Sequence, residues 1–362
     1  MRDYTGQSIF IGIDVHKKTY SVTAIFDGMI LKRDRMAACP QKLIAYCHKF
    51  FPNACIFSAY EAGFSGFGLH RQLVGSGIHN IVVHAASIET KARDRVKTDK
   101  RDSLKIATQL SDGRLTCIHI PSPEREATRF ISRLREKLVR DKTRLAAQIK
   151  GFMNLNGLLA YNDQKRVNRN WVSLLLEGLK DDSDRSFYLR MIAERWVELD
   201  RRIGEVEKRL QLQANADSEW ERICRSAPGI GPVVSRILIN ELGDMSQFKN
   251  DRSLYSFTGL TPQEYSSGEH TRQGHISRQG RPVLRKILVQ AAWRAIKEDE
   301  GLNEVFEKIS EKAGKKRAIV AVARRLIGII RACLREKREY VCKRVTINNI
   351  VQPTVRKRVT AL

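Results

Sequence analysis

From Leu189 to Leu210 the apolar side chains Leu189, Ile192, Trp196, Leu199, Ile203, Val206 and Leu210 return at steps of 3, 4, 3, 4, 3 and 4 residues. A stripe of that period lines one side of an α-helix and cannot line a strand, whose side chains alternate at every residue. A heptad sustained over about six helical turns needs a second helix to cover it. An earlier stretch supplies a candidate. Ser122–Pro123–Glu124 reads as a helix start, with a capping hydroxyl, a proline at the first helical position and an acid in the first turn. From there Ile131, Leu134, Leu138, Leu145, Phe152, Leu155 and Leu159 keep the rhythm, weakened by Asp141 and Gln148 at two seam positions. The spacing leaves two arrangements open, an antiparallel hairpin within one chain or a seam between two copies.

Ahead of these helices the period is different. "SIFIGIDV" (8–15) is a β-branched, apolar run, followed by "TYSVTAIFD" (19–27), a turn at Gly28 and "MILKRDRM" (29–36), which together make a three-strand meander. Pro40 opens a helical stretch, "ACIFSAYEAG" (54–63) is a fourth strand, "GFGLHRQLVGSG" (66–77) a helix, and "HNIVVHAAS" (79–87) a fifth strand. The order β-β-β-α-β-α-β, with a further helix behind it, predicts an α/β layer architecture with a mixed sheet. The expected fold class is therefore α/β plus all-α, divided into an α/β domain over 1–120, a helical coiled-coil region over 121–217, a mainly helical domain over 218–345 and a basic tail over 346–362.

The third region opens with "SAPGIGPVVSRILINELGDM" (226–245), a Gly229–Ile230–Gly231 turn before a proline at a helix start. That pattern reads as a helix-hairpin-helix whose backbone N–H groups at Gly229 and Gly231 can hold a phosphate, or as an ordinary corner between two helices. Arg272, Arg278, Arg281, Arg285 and Lys286 gather in the glycine-punctuated segment that follows, and "KKRAIVAVARRLIGIIRACLREK" (315–337) is an amphipathic basic helix.

Across its 362 residues the chain carries 65 Lys and Arg against 40 Asp and Glu, a net charge of +25 spread over every region. With 42% hydrophobic residues the chain can fold, so it presents a basic surface to a polyanion, and nucleic acid fits that role. Seven scattered cysteines form no CxxC pair and no zinc spacing, and read as reduced thiols of a cytoplasmic, nucleoid-associated protein. The opening "MRDYTGQSIFIGIDV" lacks a signal-peptide core, no apolar run approaches a membrane span, and no GxxxxGK[ST] loop points to nucleotide triphosphates.

Acidic residues stand out against that background. Asp14 ends the first strand in "GIDVHK", Glu61 ends the fourth in "YEAG", and "KTDKRDSLKIA" (97–107) sets Asp99 and Asp102 three residues apart on one side of a helix among Lys97, Lys100 and Arg101. Strands ending at one sheet edge, covered by that helix, would bring four carboxylates together. Such a set repels itself unless a divalent cation neutralises it, and oxygen ligands suit Mg²⁺. Taken singly, each acid also has an ordinary use, as a turn-former, a loop charge or the partner of a neighbouring base. The bases beside Asp99 and Asp102 would hold the nucleic acid whose phosphate meets the metal. In "EYSSGEHTRQG" (264–274), Ser266–Ser267–Gly268 by itself is a flexible loop.

"GIDVHKKTYSVTAIF", "YEAGFSGFGLHRQL" and "KTDKRDSLKIA" resemble the N-terminal domain of the insertion-sequence 110 family of DEDD transposases. The stretch from "APGIGPVVSRILINELGDM" to "SRQGRPVLRKIL" is similar to the C-terminal transposase domain of the same family. The resemblance covers roughly residues 8 to 340, with the motifs in the family's order. It implies a RuvC-like, RNase H-fold first domain, a coiled-coil middle and a serine-bearing helical domain. It implies a site-specific DNA recombinase guided by a structured bridge RNA that pairs with target and donor DNA. Asp14, Glu61, Asp99 and Asp102 match the D, E, D and D metal-binding set. The nucleophilic serine falls on Ser267, with Ser266 beside it leaving the position ambiguous by one residue. That serine would form a covalent phosphoserine–DNA link, in a composite site built by domains of different subunits. The expected partners are the guide RNA, both DNAs and further copies of the chain, dimers assembling into a tetramer. Two other readings stand beside this one: a Holliday-junction resolvase-like nuclease using the carboxylates and water, and a non-catalytic nucleic-acid-binding scaffold.

Overall fold

The computed structural model describes residues 3–89, 99–158, 166–243, 245–264, 273–277 and 279–342. Contacts divide the chain into two compact units, Met1–Pro121 and Ser122–Leu362.

In the first unit β1 (Ser8–Val15), β2 (Thr19–Phe26) and β3 (Met29–Ala37) form the expected meander, followed by α1 (Pro40–Phe50), β4 (Cys55–Glu61), α2 (Gly68–Gly75), β5 (His79–Val83) and α3 (Asp99–Ser111). Phe26 pairs with Met29, so the β2–β3 turn is the two residues Asp27–Gly28, both at positive φ as a tight hairpin of matching twist requires. The five strands lie in the order β3-β2-β1-β4-β5. Pairs β1–β2 and β2–β3 are antiparallel, while β1–β4 and β4–β5 are parallel. Along β1 the isoleucines Ile9, Ile11 and Ile13 are buried in a core with Leu43 of α1 and Leu73 of α2. Phe10, Gly12 and Asp14 alternate onto the opposite face, where α3 packs over β1, β2 and β4.

The second unit is helical: α4 (Pro123–Leu155), α5 (Arg169–Gly178), α6 (Asp184–Ala216), α7 (Ser218–Ser226), α8 (Pro232–Leu242), α9 (Asp251–Thr258), a short pair β6 (Pro262–Glu264) and β7 (Gln273–Ile276), then α10 (Pro282–Glu298), α11 (Glu300–Ala313) and α12 (Lys315–Glu336). The Ser122 hydroxyl accepts from the Arg125 N–H at 3.2 Å, which is the cap its sequence implied. The two heptad segments pack on each other within the chain. Arg135 meets Glu207 at 2.6 Å and Lys142 pairs with Asp200, so advancing along α4 means retreating along α6. Of the two arrangements left open by the spacing, the antiparallel hairpin is present.

The seam differs from its sequence register on α4. Leu145, Ile149 and Met153 are buried against Leu189, Ala193 and Trp196, whereas Leu134 and Leu155 are 43% and 85% exposed. A nearly straight helix drifts away from a strict seven-residue repeat, so steps of four replace the 3-4 rhythm there. A separate core joins Leu238 of α8, Leu288 of α10 and Leu326 of α12. Residues after α12 return to this core, where the Tyr340 hydroxyl donates to Asp299 Oδ2 at 3.0 Å. Every cysteine is free, and among the described residues no helix is long and apolar enough to cross a membrane.

Candidate metal centre and nucleic-acid interface

The approach of α3 to the sheet is decided by one residue of β1. A methyl group on Gly12 would overlap the Ser103 carbonyl and the Ala107 amide and lie 3.0 Å from the Ala107 Cα. Glycine in a strand interior weakens a sheet, and here its missing side chain is the space that α3 occupies. Across the register Gly12 faces Thr23 of β2 and Ala59 of β4, so at this level the floor under the helix is made of small residues. The Thr23 and Ser103 hydroxyls share a buried hydrogen bond of 2.8 Å that fixes the helix along its axis.

Two residues beyond Gly12 on the same face is Asp14. Ile13 pairs with Tyr60, so Asp14 and Glu61, each the next residue, end adjacent parallel strands at one level and on one face. Asp99 and Asp102 occupy the first turn of α3, where the helix dipole also favours acids. The His16 ring joins strand to helix: its Nε2 lies 3.1 Å from Asp14 Oδ2 and 3.2 Å from Asp99 Oδ1. Asp99 is also 3.8 Å from Arg35, and Asp102 is 3.7 Å from Lys105 one turn along. These are long, partly exposed ion pairs and contribute little to stability.

Burial pushes the Asp14 carboxyl up from its ordinary pKa; His16 opposes this, and the charges of Asp99 and Asp102 add to it. The charges of Asp99 and Asp102 therefore lie close enough to disfavour ionisation of Asp14. Ligand atoms of Asp14, His16 and Asp99 lie within 4.8 Å of one another. That donor set, rich in carboxylate oxygen, fits a hard divalent cation, with the imidazole in contact with two of the carboxylates that would hold it. Glu61 is exposed at the rim.

Neighbouring side chains hold this edge in shape. The Tyr60 hydroxyl donates to the Gly66 carbonyl at 2.9 Å and accepts from the His70 N–H at 3.3 Å, pinning the loop after Glu61. The Gln109 amide donates to the Glu89 carbonyl at 2.9 Å and accepts from the Glu89 N–H at 3.0 Å, tying the chain before residue 90 to α3. His16, Thr23, Ser103 and Gln109 went unread in the sequence. A glycine two residues before Asp14 was the available signal for the first three, since it announces a close backbone approach.

The second unit qualifies the expected phosphate contacts. The Gly229 N–H donates to Glu298 Oε2 at 2.6 Å, and a side chain at Gly229 would collide with the Ala291 carbonyl of α10. The turn is packed inward and its amide is already taken by a carboxylate, so Gly229 is not an open phosphate ligand. Gly231, the residue just before α8, has open space around it. Arg281 lies 3.7 Å from Glu241, a carboxylate already gripped by Arg133 through bonds of 2.8 and 3.0 Å. Burial pushes the Arg281 guanidinium down, Glu241 opposes, and Arg133 adds to the lowering. Arg285 is half-buried, with one Nη1 buried and without a hydrogen-bond partner. In the first unit Arg101 is exposed, and Lys100 lies in the first turn of α3. Lys97, Ser266, Ser267, Arg272 and Arg278 lie outside the described residues, as does the tail.

Comparison with known proteins finds two family models that match parts of the chain. Residues 11–156 match the model of the DEDD transposases of the IS110 type, and residues 221–307 match that of the transposase IS116/IS110/IS902 family. The chain is 29% identical over 364 residues to y4rJ of Sinorhizobium fredii, named as a transposase, covering 88% of this chain and 90% of that one. It is 29% identical over 312 residues to y4qE of the same organism, also named as a transposase, covering 78% and 76% of the two chains. To the transposase for insertion sequence element IS1111A of Coxiella burnetii it is 27% identical over 280 residues, covering 75% and 76%.

Proposed function

We infer that this chain, a DNA transposase carrying both domains of the IS116/IS110/IS902 family, recombines DNA at specific sites under the guidance of a bridge RNA that pairs with target and donor. The observation that carries the chemistry is the convergence of Asp14, His16 and Asp99 within 4.8 Å at the C-terminal end of the central strand β1, in a protein of net charge +25. Asp14, Glu61, Asp99 and Asp102 are the residues to hold Mg²⁺, in a domain of RuvC-like, RNase H type. Bound there, the cation would draw charge from the oxygens of a scissile phosphate. His16 spans two of the ligands and keeps them oriented toward one point.

Ser267 is the proposed nucleophile, on the segment between β6 and β7. Its oxygen loses a proton and bonds to phosphorus, one P–O bond to a sugar breaks, and the departing sugar oxygen takes up a proton. The phosphoserine link retains the bond energy, so strands rejoin without a nucleotide triphosphate, in keeping with the missing phosphate loop. Domains of different copies build the complete site, in dimers assembling into a tetramer. The basic composition supports RNA and DNA as partners.

The test incubates the protein with labelled target, donor, guide RNA and Mg²⁺, and looks on a denaturing gel for a protein–DNA adduct. Cleavage without any adduct would establish the water-using nuclease instead. An intact substrate under conditions of full binding would leave only a scaffold.

A further inference from the structure

A cavity of about 340 Å³ lies at the foot of the β6–β7 pair, where Leu260, Pro262 and Ile276 face Ile309 of α11 and Val320 and Ala321 of α12. Its other lining side chains include His275, Lys316, Arg317 and Arg324, and no carboxylate is among the described residues that line it. Arg324 is held 4.9 Å over the Tyr255 ring, with its Nε buried and without a hydrogen-bond partner. The start of α12 adds to the imbalance. It has no side-chain cap and no acid in its first turn, and instead carries Lys315, Lys316 and Arg317 against the helix dipole. Such an arrangement is unfavourable in isolation and becomes favourable when an anion sits at the rim.

An aliphatic slot beside a purely basic rim matches a ligand with a flat, weakly polar part joined to a phosphate. The volume is at the lower end of small-ligand pockets, about 300–1,000 Å³, so the slot takes one nucleotide and excludes a duplex. Ser267 follows Pro262 by five positions, a reach of at most about 18 Å. That places the slot within about five nucleotides of the serine along a strand, at 3.4 Å per residue.

We propose that this cavity binds one unstacked nucleobase of the DNA strand being joined, with its flanking phosphate on Lys316 and Arg317 and Arg324 donating to a base carbonyl. The slot would capture the everted base and so hold the strand beside the serine, as enzymes acting on nucleic acid do when they extrude a nucleotide into a pocket. The choice of DNA rests on the recombinase reading of residues 265–272, while the slot's chemistry does not.

The experiment uses full-length Ser267→Ala protein, so that no chemical step enters. The probes are a short single-stranded thymidine oligonucleotide with 4-thiothymidine at each position in turn, its RNA counterpart, and a DNA duplex. Photocross-links should map to 260–262, 274–276 or 309–324. Ala321→Trp, which fills the slot and keeps every charge, should weaken single-strand DNA binding at least five-fold and leave duplex binding within two-fold. Lys316→Glu, at an exposed position, should weaken it to a similar degree even if the tryptophan variant does not fold. Cross-links confined to other segments, or unchanged single-strand binding by Lys316→Glu, would overturn the proposal. Binding of the RNA oligonucleotide in preference to the DNA would overturn the assignment to DNA. Failure of the serine chemistry would show instead as cleavage or an adduct formed by the Ser267→Ala protein, an independent readout.

Discussion

Gly12 and Ser103 touch backbone to backbone: the strand residue has no side chain, and the helix carbonyl fills the space a methyl group would need. Because α3 carries Asp99 and Asp102, this contact sets their distance from Asp14. Gly12→Val should destabilise the first unit by about 1–3 kcal/mol through overpacking. It should lower strand cleavage on the order of 10²-fold, since small misplacements of catalytic groups are expensive. Ser103→Ala, which removes only the hydroxyl bonded to Thr23, should cost about 1 kcal/mol and leave cleavage within a few-fold. Urea unfolding and a cleavage time course on both variants are the measurements.

Asp102→Asn should reduce strand cleavage on the order of 10²–10³-fold while nucleic-acid binding stays nearly unchanged. Removing one carboxylate lowers the site's charge without touching the bases around it. Chelation of divalent metal should reproduce the loss in the parent protein, and Mg²⁺ should restore it. Full recombination by Asp14→Asn or Asp102→Asn in Mg²⁺ buffer would defeat the assignment.

Ser267→Ala should eliminate both the covalent adduct and recombination and leave assembly with RNA and DNA intact. Ser266→Ala should be milder, because one hydroxyl of the pair occupies the attacking position. An adduct that survives Ser267→Ala and disappears with Ser266→Ala moves the nucleophile one residue upstream. Normal cleavage by both variants, with no adduct, identifies water as the nucleophile.

Affinity for nucleic acid should fall steeply with salt. With six or more phosphates neutralised, binding should weaken about 10³-fold or more between 50 and 200 mM salt. Titrations of the element's own structured RNA, a random RNA and a random duplex separate two ideas. A flat dependence for all three contradicts the polyanion reading, and equal affinity for the two RNAs removes support for guided recognition.

The α4–α6 hairpin should lose stability at low pH through Asp200. Burial alone would raise this carboxyl's pKa, but hydrogen bonds and charge from Lys142 and Arg169 outweigh it and leave the group below its ordinary value. A carboxylate lowered in the folded state stabilises above its unfolded pKa, and that stabilisation is lost as pH falls through the folded value. Asp200→Asn should therefore cost about 1 kcal/mol near neutral pH, with the difference from the parent shrinking as pH falls below about 4. Urea unfolding across that range is the check.

Much of the local order was legible because it depends on neighbours in the chain. The heptad from Leu189 to Leu210 requires a helix, the β-branched apolar run "SIFIGIDV" reads as a strand, and Ser122–Pro123 marks where a helix begins. The placement of Asp14 and Glu61 at or next to strand ends and of Asp99 in the first turn of α3 follows from the same local rules. What faces what was settled by long-range packing, which no local period encodes. The repeat on α4 could serve a partner copy or the same chain, and charge pairs such as Arg135–Glu207, 72 residues apart, belong to a hairpin within the chain. The Gly229–Ile230–Gly231 turn has the sequence of an open phosphate loop, yet Glu298, 69 residues away, takes its amide because α10 packs against Gly229. His16 reads as one more basic residue after a strand until folding sets its ring between Asp14 and Asp99. Backbone preferences act over a few residues and are written in order along the chain; burial, charge and excluded volume act between segments that only the fold brings together.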